Sequence, residues 1–199
     1  MTTVTVAELG CANTGSVVMA FERLGATVVL SDQADTLAAA ERLILPGVGA
    51  AGFAMQRIHS LGLYELLRTF SRPLLGVCLG QQLLFEHSDE GNVAGLGLIP
   101  GRVTALTAAP DRPVPHMGWN TLEAVTDDPL MQGVTDGDYA YFVHSYACPV
   151  GDFTLARCTY GTAFSAVVRR GNVWGAQFHP ERSARAGRTL LANFLSVPC

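Results

Sequence analysis

The sequence contains no lysine and few charged residues of either sign. All 13 basic residues are arginine, charged residues make up 15% of the chain, and the formal net charge is −4. An ordinary soluble domain contains about 25% charged residues. The longest basic cluster is the pair Arg169-Arg170, which is too short to form the basic stripe typical of nucleic-acid binding. We therefore expect no nucleic-acid partner, and a charge-poor surface that can include a protein interface.

Paired cysteines and metal-binding patterns are also missing. The five cysteines form no Cys-x-x-Cys motif and no cluster with histidine: Cys11, Cys78, Cys148, Cys158 and Cys199. An odd number of widely spaced cysteines argues against a disulfide framework and against a zinc site. We expect neither a metal nor a cofactor.

Long apolar runs are absent as well. Hydrophobic residues make up 49% of the chain, but no run approaches the roughly 18 apolar residues of a membrane span. The first eight residues lack the positive start and apolar core of a secretory signal. We expect a cytoplasmic protein without a membrane partner. A chain of 199 residues is long enough for one domain with a proper core and short for two, which predicts a single domain over 1–199.

The first half of the chain alternates short apolar runs with helical patterns. Strand-like runs at 4–9, 26–30 and 43–45 are each followed by helical spacing, which predicts an α/β fold with a mainly parallel open sheet flanked by helices. After Gly95 the predicted strands are short and rich in β-branched and aromatic residues, and some are expected to be antiparallel. They lie at 98–106, 114–119, 140–147, 153–160, 164–170 and 172–178, before a helix over 185–195.

One junction has the pattern of a nucleophile elbow. An apolar run over 73–77 ends in Gly76-Val77-Cys78-Leu79-Gly80 and passes into a helical pattern over 79–87. Glycines flank the nucleophile of such a turn because a Cβ there would collide with neighbouring backbone. The sulfur of Cys78 would lie over the helix N-terminus, which stabilises a thiolate. The alternative is a small buried cysteine, but the flanking glycines favour the elbow.

A cysteine nucleophile needs a base and a group that orients this base. Pro180 keeps His179 out of the α region, so we expect an extended segment in which His179 and Glu181 point to the same face. Glu181 can then bind one ring nitrogen while the other faces Cys78. The alternative for His179 is a structural histidine beside a turn.

The other four histidines compete less well for the role of base. His59 and His87 lie near predicted helix ends, where we expect them at the surface. His116 and His144 lie in strand-like segments and have no acidic residue two positions away. Each of these two can be structural or can line the site.

A glycine-rich loop follows the third predicted strand. In Pro46-Gly47-Val48-Gly49 two glycines surround one valine, so the peptides can rotate with little steric penalty and can aim an N–H group at an anion. An ordinary strand-to-helix turn explains the loop equally well.

Together these segments resemble the class I, triad-type glutamine amidotransferases, which have a flavodoxin-like fold. The elbow and His179-Pro180-Glu181 resemble the triad of that family. The chain is most similar to the glutaminase subunits of imidazole glycerol phosphate synthase, because further segments match them: 46–49, 116–120, 141–146 and 160–173. The family usually has an acidic residue, an aromatic residue and a Gly-x-Gly-Asn turn after the first strand, whereas this chain has Glu8-Leu9-Gly10-Cys11-Ala12-Asn13. In the family this region faces the synthase partner.

The resemblance implies a role for each site residue. Cys78 would be the nucleophile, His179 the general base and acid, and Glu181 the carboxylate that orients the histidine. The oxyanion hole would consist of the Leu79 backbone N–H and the loop Gly47, Val48 and Gly49. The amino-acid end of L-glutamine would be held by Gln82 and by the backbone of Ser145 and Tyr146.

The resemblance also implies a partner. The family's glutaminase forms a heterodimer with a (β/α)₈ cyclase in histidine biosynthesis, and the cyclase uses the released ammonia to make imidazole glycerol phosphate and aminoimidazole carboxamide ribotide. Ammonia is protonated in neutral water, so its transfer requires a sheltered passage.

Other functions remain open at this stage. The glutaminase subunits of anthranilate and aminodeoxychorismate synthase share the chemistry, but they resemble Pro-Gly-Pro-Gly at the loop where Pro46-Gly47-Val48-Gly49 stands here. The glutaminase of pyridoxal-phosphate synthase has a Gly-Gly-Glu-Ser loop that this chain lacks. A non-catalytic scaffold subunit, or a cysteine hydrolase or chaperone on a related elbow fold, are alternatives of a different class.

Overall fold

A computed structural model describes residues 2–10, 14–47 and 49–198 of the chain. Within these ranges the helices are α1 (Thr14–Arg23), α2 (Ala34–Ala39), α3 (Ala51–Ser60), α4 (Tyr64–Thr69), α5 (Leu79–Leu83) and α6 (Ala184–Ser196). The strands are β1 (Thr3–Ala7), β2 (Thr27–Ser31), β3 (Leu43–Gly47), β4 (Leu74–Cys78), β5 (Phe85–Ser88), β6 (Val93–Ala94), β7 (Ile99–Ala105), β8 (His116–Thr121), β9 (Tyr139–His144), β10 (Tyr146–Ala147), β11 (Thr154–Tyr160), β12 (Thr162–Arg170) and β13 (Val173–Ala176).

The main sheet has seven strands in the order β11-β12-β13-β4-β3-β1-β2. The five strands from β13 to β2 pair in parallel, whereas β11 and β12 pair antiparallel at one edge. The prediction of a mainly parallel sheet with antiparallel strands in the second half is confirmed. Because β3, β4 and β13 are neighbours that run in the same direction, their carboxyl ends meet at one edge of the sheet.

Successive residues of the parallel strands point into two apolar clusters, one on each face of the sheet. In β3, Leu43 and Leu45 pack with the residues of α3 and α4, whereas Ile44 packs with Phe21 of α1 and Phe194 of α6. All five side chains are fully buried. Burial on both faces explains why these strands read as continuous apolar runs in the sequence.

Two smaller sheets come from the second half of the chain. One has four strands in the order β10-β7-β5-β6. The other is the antiparallel pair β8 and β9, with His116 opposite His144 and Trp119 opposite Tyr141; we refer to this pair as the ribbon. Among the described residues, no helix has the length and apolar character needed to cross a membrane.

The helix after the elbow is shorter than the sequence predicts. The predicted helix covered 79–87, but α5 ends at Leu83, and Phe85–Ser88 form a strand that pairs with β6 and β7. The carbonyls of Leu83 and Leu84 accept hydrogen bonds from the backbone of the loop before β7 instead of continuing the helix. His87 therefore lies in a strand, where its ring contacts Asn92 at 3.0 Å. Long-range pairing of the backbone overrides the local helical pattern here.

Candidate active site

Cys78 lies at the junction of β4 and α5 in a strained backbone conformation. Its φ is 55° and its ψ is −111°, a region that costs a non-glycine residue about 1–3 kcal/mol. The adjoining glycines allow this turn, because a Cβ on Gly80 would lie 1.8 Å from the carbonyl oxygen of Leu45 and one on Gly76 would lie 2.6 Å from that of Gly80. The structure therefore has the elbow geometry that the sequence predicts. The Cys78 residue is 6% exposed.

His179 and Glu181 form a close pair beside the elbow. The ring Nδ1 of His179 lies 2.8 Å from Oε1 of Glu181, and both side chains are nearly buried. The other ring nitrogen, Nε2, is buried and has no hydrogen-bond partner among the described residues. Burial alone would lower the pKa of His179, but its interactions with the Cys78 thiol and the Glu181 carboxylate raise this pKa to about 10. The site therefore favours a protonated ring, the state that follows transfer of the Cys78 proton to Nε2.

The segment that holds this pair differs from the prediction. His179 itself is extended, with φ −93° and ψ 97°, but Pro180–Arg182 form a 3₁₀ turn, so the expected extended run through Glu181 is wrong. Proline suits the first position of such a turn, since it has no N–H group to satisfy. The turn, rather than strand alternation, brings the carboxylate to the ring. The Ser183 hydroxyl donates to the His179 carbonyl at 2.7 Å and accepts from the Tyr141 N–H at 2.9 Å.

One cavity of about 330 Å³ contains most of the predicted site residues. It is lined by Gly49, Cys78, Leu79, Gln82, Glu90, Pro115, Val143, His144, Ser145, Tyr146 and His179. Gly47 is buried at the end of β3, opposite Cys78 in the register of the sheet. Val48 lies outside the described residues, as do Cys11, Ala12 and Asn13 of the atypical N-terminal segment.

Comparisons with known proteins agree with this geometry. The profile of the family described as glutamine amidotransferase class-I matches residues 6–197. The chain belongs to the class I glutamine amidotransferases. A solved structure described as a glutamine amidotransferase matches this amidotransferase with a TM-score of 0.75 at 22% identity, covering 98% of this chain and 99% of the other; at that identity the match shows the fold alone.

Two curated relatives of this amidotransferase are much more similar in sequence. Imidazole glycerol phosphate synthase subunit HisH 1 of Vibrio vulnificus strain YJ016 is 47% identical over 200 residues, which cover 98% of both chains. The HisH subunit of Xylella fastidiosa strain Temecula1 is 52% identical over 197 residues, covering 99% of this chain and 98% of the relative. The resemblance to the glutaminase subunits of that synthase is confirmed.

Sequence reasoning missed a carboxylate in the cavity of the amidotransferase. Glu90 follows the elbow in a stretch that reads as a polar turn, and its Oε2 accepts a hydrogen bond from the backbone N–H of Ala51 at 2.7 Å. That N–H belongs to the first turn of α3, where the helix dipole favours a negative charge. The signal in the sequence was weak, because an acidic residue in a turn is usually a surface residue.

The histidines of the ribbon form a buried pair next to the cavity. Nδ1 of His116 lies 3.0 Å from Nε2 of His144, and Nδ1 of His144 lies 2.8 Å from the carbonyl oxygen of Tyr146. A carbonyl only accepts, so His144 carries its proton on Nδ1 and accepts from His116. Burial lowers the pKa of each histidine to about 4, so both rings are neutral. His144 lines the cavity, whereas His116 supports it from behind.

Metal-binding groups are not assembled in the described part of the chain. No cluster of three or more histidine, cysteine, aspartate or glutamate side chains in it is arranged to hold a metal ion.

Proposed function

We propose that this amidotransferase is the glutaminase subunit of imidazole glycerol phosphate synthase in histidine biosynthesis. It hydrolyses L-glutamine through a cysteinyl thioester and passes ammonia to a cyclase subunit. The observation that carries the proposal is that Cys78 and His179 face one cavity, with Glu181 bonded to the far side of the histidine ring. The HisH names of relatives at 47–52% identity support the choice of synthase.

In the first step the nucleophile is Cys78. Its proton moves to Nε2 of His179, the nitrogen without another hydrogen-bond partner among the described residues, and the sulfur attacks the side-chain carboxamide carbon of glutamine. The negative charge that develops on the carboxamide oxygen is stabilised by the Leu79 backbone N–H and by the loop of Gly47, Val48 and Gly49. Deleting one such donor costs about 3 kcal/mol in other enzymes.

In the second step the leaving nitrogen takes the proton from His179. The C–N bond breaks, ammonia leaves, and a glutamyl thioester remains on Cys78. Water then attacks the thioester and gives its proton to the same ring, which returns it to the sulfur as glutamate is released. Glu181 accepts from Nδ1 throughout, so that Nε2 is always the nitrogen that exchanges protons with the reacting atoms.

The amino-acid end of glutamine is held at the other side of the cavity. Glu90 supplies a carboxylate for the α-ammonium group, and Ser145 and Tyr146 supply backbone groups at the junction of the ribbon with β10. Gln82 uses its amide nitrogen within the protein, as a donor to the Tyr146 carbonyl at 2.9 Å and to Gln177 Oε1 at 3.0 Å. The carbonyl oxygen of Gln82 is therefore the group that contacts the substrate.

The cyclase docks on the ribbon. Three large apolar side chains are exposed on it, with Met117 64%, Trp119 52% and Tyr139 60% exposed, and exposed aromatic residues next to an active site are typical of interaction surfaces. Docking there would shelter ammonia from water, which would otherwise protonate it. We propose a cytoplasmic heterodimer with a (β/α)₈ cyclase, in which residues 1–199 form a single amidotransferase domain.

A glutaminase assay with the cyclase and its ligand tests the proposal. We expect glutamate release by the complex, loss of at least about 1,000-fold in kcat for Cys78→Ala, and covalent labelling of Cys78 by a reactive glutamine analogue. Glutamate release by Cys78→Ala at the parental rate would exclude the nucleophile. Activation by a chorismate-using synthase instead of the cyclase would move the chain to a different amidotransferase complex, and no labelling with any partner would leave a non-catalytic scaffold.

A further inference from the structure

The side chain of Gln177 contacts the sulfur of Cys78, although the mechanism above gives it no role. Gln177 is fully buried just after β13, and its Nε2 lies 3.9 Å from Sγ of Cys78. On its other side, Oε1 of Gln177 accepts a hydrogen bond from Gln82 at 3.0 Å. A second contact of the sulfur is the carbonyl oxygen of Val143, at 3.8 Å. The sulfur therefore has one neutral donor and one carbonyl acceptor beside it.

The orientation of the Gln177 amide is fixed by a backbone group two hydrogen bonds away. The Tyr146 carbonyl can only accept, so it requires the NH₂ group of Gln82. The same NH₂ group also faces Gln177, which must present its oxygen there because two NH₂ groups cannot bond to each other. The NH₂ group of Gln177 is then the one that faces the sulfur.

We propose that the Gln177 amide is a further catalytic group, which donates an N–H to the Cys78 thiolate, and that Gln82 is the positioning residue that keeps this N–H aimed at the sulfur. The inference rests on the proposed role of Cys78 as nucleophile. When the thiol loses its proton to His179, the Val143 carbonyl changes from acceptor to a repulsive neighbour, whereas the Gln177 N–H becomes a charge-assisted donor. The amide thus favours the reactive form over the resting form.

Several titratable groups lie around the sulfur of Cys78. His179 faces Cys78 directly, His144 and Glu90 line the same cavity, and the buried Cys148 interacts with Cys78. His144 has a pKa of about 4 because of its burial, and burial raises the pKa of Cys148 to about 12. Between pH 5.5 and pH 10, in round terms, neither of these two groups changes its charge. His144 and Cys148 therefore do not contribute to a change of the alkylation rate within that range.

The test is the pH dependence of alkylation of Cys78 by iodoacetamide in the full-length chain. The modified peptide that contains Cys78 is quantified by mass spectrometry, so that other cysteines do not contribute. For Gln177→Met, which keeps the volume and removes the donor, we expect the pH midpoint of alkylation to rise by about one unit. For Gln177→Glu the midpoint rises further, because a carboxylate oxygen replaces the N–H beside the thiolate. Gln82→Met gives a smaller rise, since the Gln177 amide is then free to rotate.

Gln81→Met is the matched control. Like Gln177, Gln81 is fully buried. It belongs to α5, and its Nε2 donates to the Ser165 carbonyl at 3.0 Å rather than to the sulfur. We expect it to lose stability without moving the alkylation midpoint. If Gln177→Met fails to fold, the test uses the alkylation midpoints of the other proteins. The proposal then requires the lowest midpoint for the wild type, a higher one for Gln82→Met and the highest for Gln177→Glu.

Two results separate this inference from the proposed function. If Gln177→Met and Gln177→Glu both had the same alkylation midpoint as the wild type, the role of Gln177 would be overturned, even if the protein hydrolyses glutamine normally. Midpoints in the expected order in a protein that no partner activates would keep the thiolate donor and reject the glutaminase assignment. A rise for the control Gln81→Met equal to that of Gln177→Met would show that loss of any buried amide has this effect, and would also overturn the inference.

Discussion

The elbow and the ribbon both contribute to the active site, but the elbow is buried and tightly packed, whereas the ribbon is partly exposed. The elbow is buried and fixed by steric contact, to the point that a Cβ on Gly80 would lie 1.8 Å from a backbone oxygen. The ribbon has two strands and exposes Trp119 by 52%. It contributes the His144 side chain to the cavity and two backbone carbonyls: that of Val143 faces the sulfur, and that of Tyr141 accepts from the His179 N–H at 2.9 Å. The nucleophile is thus held by the rigid region and the base by the exposed one.

The largest effect is expected at the elbow. Gly80→Ala forces a Cβ into the Leu45 carbonyl, and because the Cβ position is fixed by the backbone and the atom that it meets is a backbone oxygen, neither can move cheaply. We expect a loss of at least about 4 kcal/mol in the free energy of unfolding, or no folded protein. Urea unfolding measures it.

The control for that substitution is Gly52→Ala in α3. There the Cβ would lie 3.7 Å from the Val93 side chain, an ordinary contact, and the helix would gain up to about 1 kcal/mol. Similar stabilities for the two variants would mean that the elbow is not the rigid partner in the comparison.

An intermediate effect is expected on the ribbon, and on binding rather than stability. Trp119→Ala removes a half-exposed aromatic residue, so the free energy of unfolding should change by less than about 0.5 kcal/mol. The affinity for the cyclase should fall by about 2 kcal/mol, roughly 30-fold in Kd, as is usual for a central aromatic residue of an interface. Titration calorimetry with the cyclase measures the affinity.

The matched control for the ribbon is Leu30→Ala. Leu30 is 41% exposed on the edge strand β2, away from the ribbon. An equal loss of affinity from both variants would contradict docking on the ribbon.

A third effect, on the pH dependence of stability, compares a buried histidine of the ribbon with the base beside the elbow by the direction of each pKa shift. The pKa of His116 falls to about 4 because the ring is buried, so between pH 4 and pH 6.5 the unfolded chain binds the proton that the folded chain excludes. Stability therefore drops as the pH falls through this window, by up to about 1.4 kcal/mol per pH unit for one group. His116→Gln should make the pH dependence of the unfolding free energy shallower there.

The pKa of His179 shifts in the opposite direction. Burial acts against its charge, but Cys78 and Glu181 raise its pKa to about 10, so its contribution to stability is complete below pH 6.5 and is lost as the pH rises toward 10. His116→Gln should leave this alkaline limb unchanged. A change in the alkaline limb alone would contradict the assignment of the two opposite pKa shifts to these two histidines.

The sequence predicts the elbow well because its determinants are local. The flanking glycines of Cys78 and the change from strand to helix lie within a few residues, and the sheet around them follows from the alternation of apolar runs. The pairing of His179 with Glu181 was also predicted, although the structure reaches it through a 3₁₀ turn. Because the two residues are two positions apart, their side chains lie close together in most local backbone conformations.

Contacts between distant segments were not predicted. The end of α5 at Leu83 depends on hydrogen bonds from the loop before β7, and the place of Glu90 in the cavity depends on the start of α3. The contact of Gln177 with the sulfur spans 99 positions, and a buried glutamine has no local pattern that marks it. The pairing of His116 with His144 requires the register of the ribbon.

The Ser183 hydroxyl links the ribbon to the turn that contains the base. Because it is hydrogen-bonded to both the Tyr141 amide and the His179 carbonyl, we expect a displacement of the ribbon to displace the His179 ring as well, whereas Cys78 is held by the main sheet. A docked partner would then change the distance between the ring and the sulfur without rearranging the core.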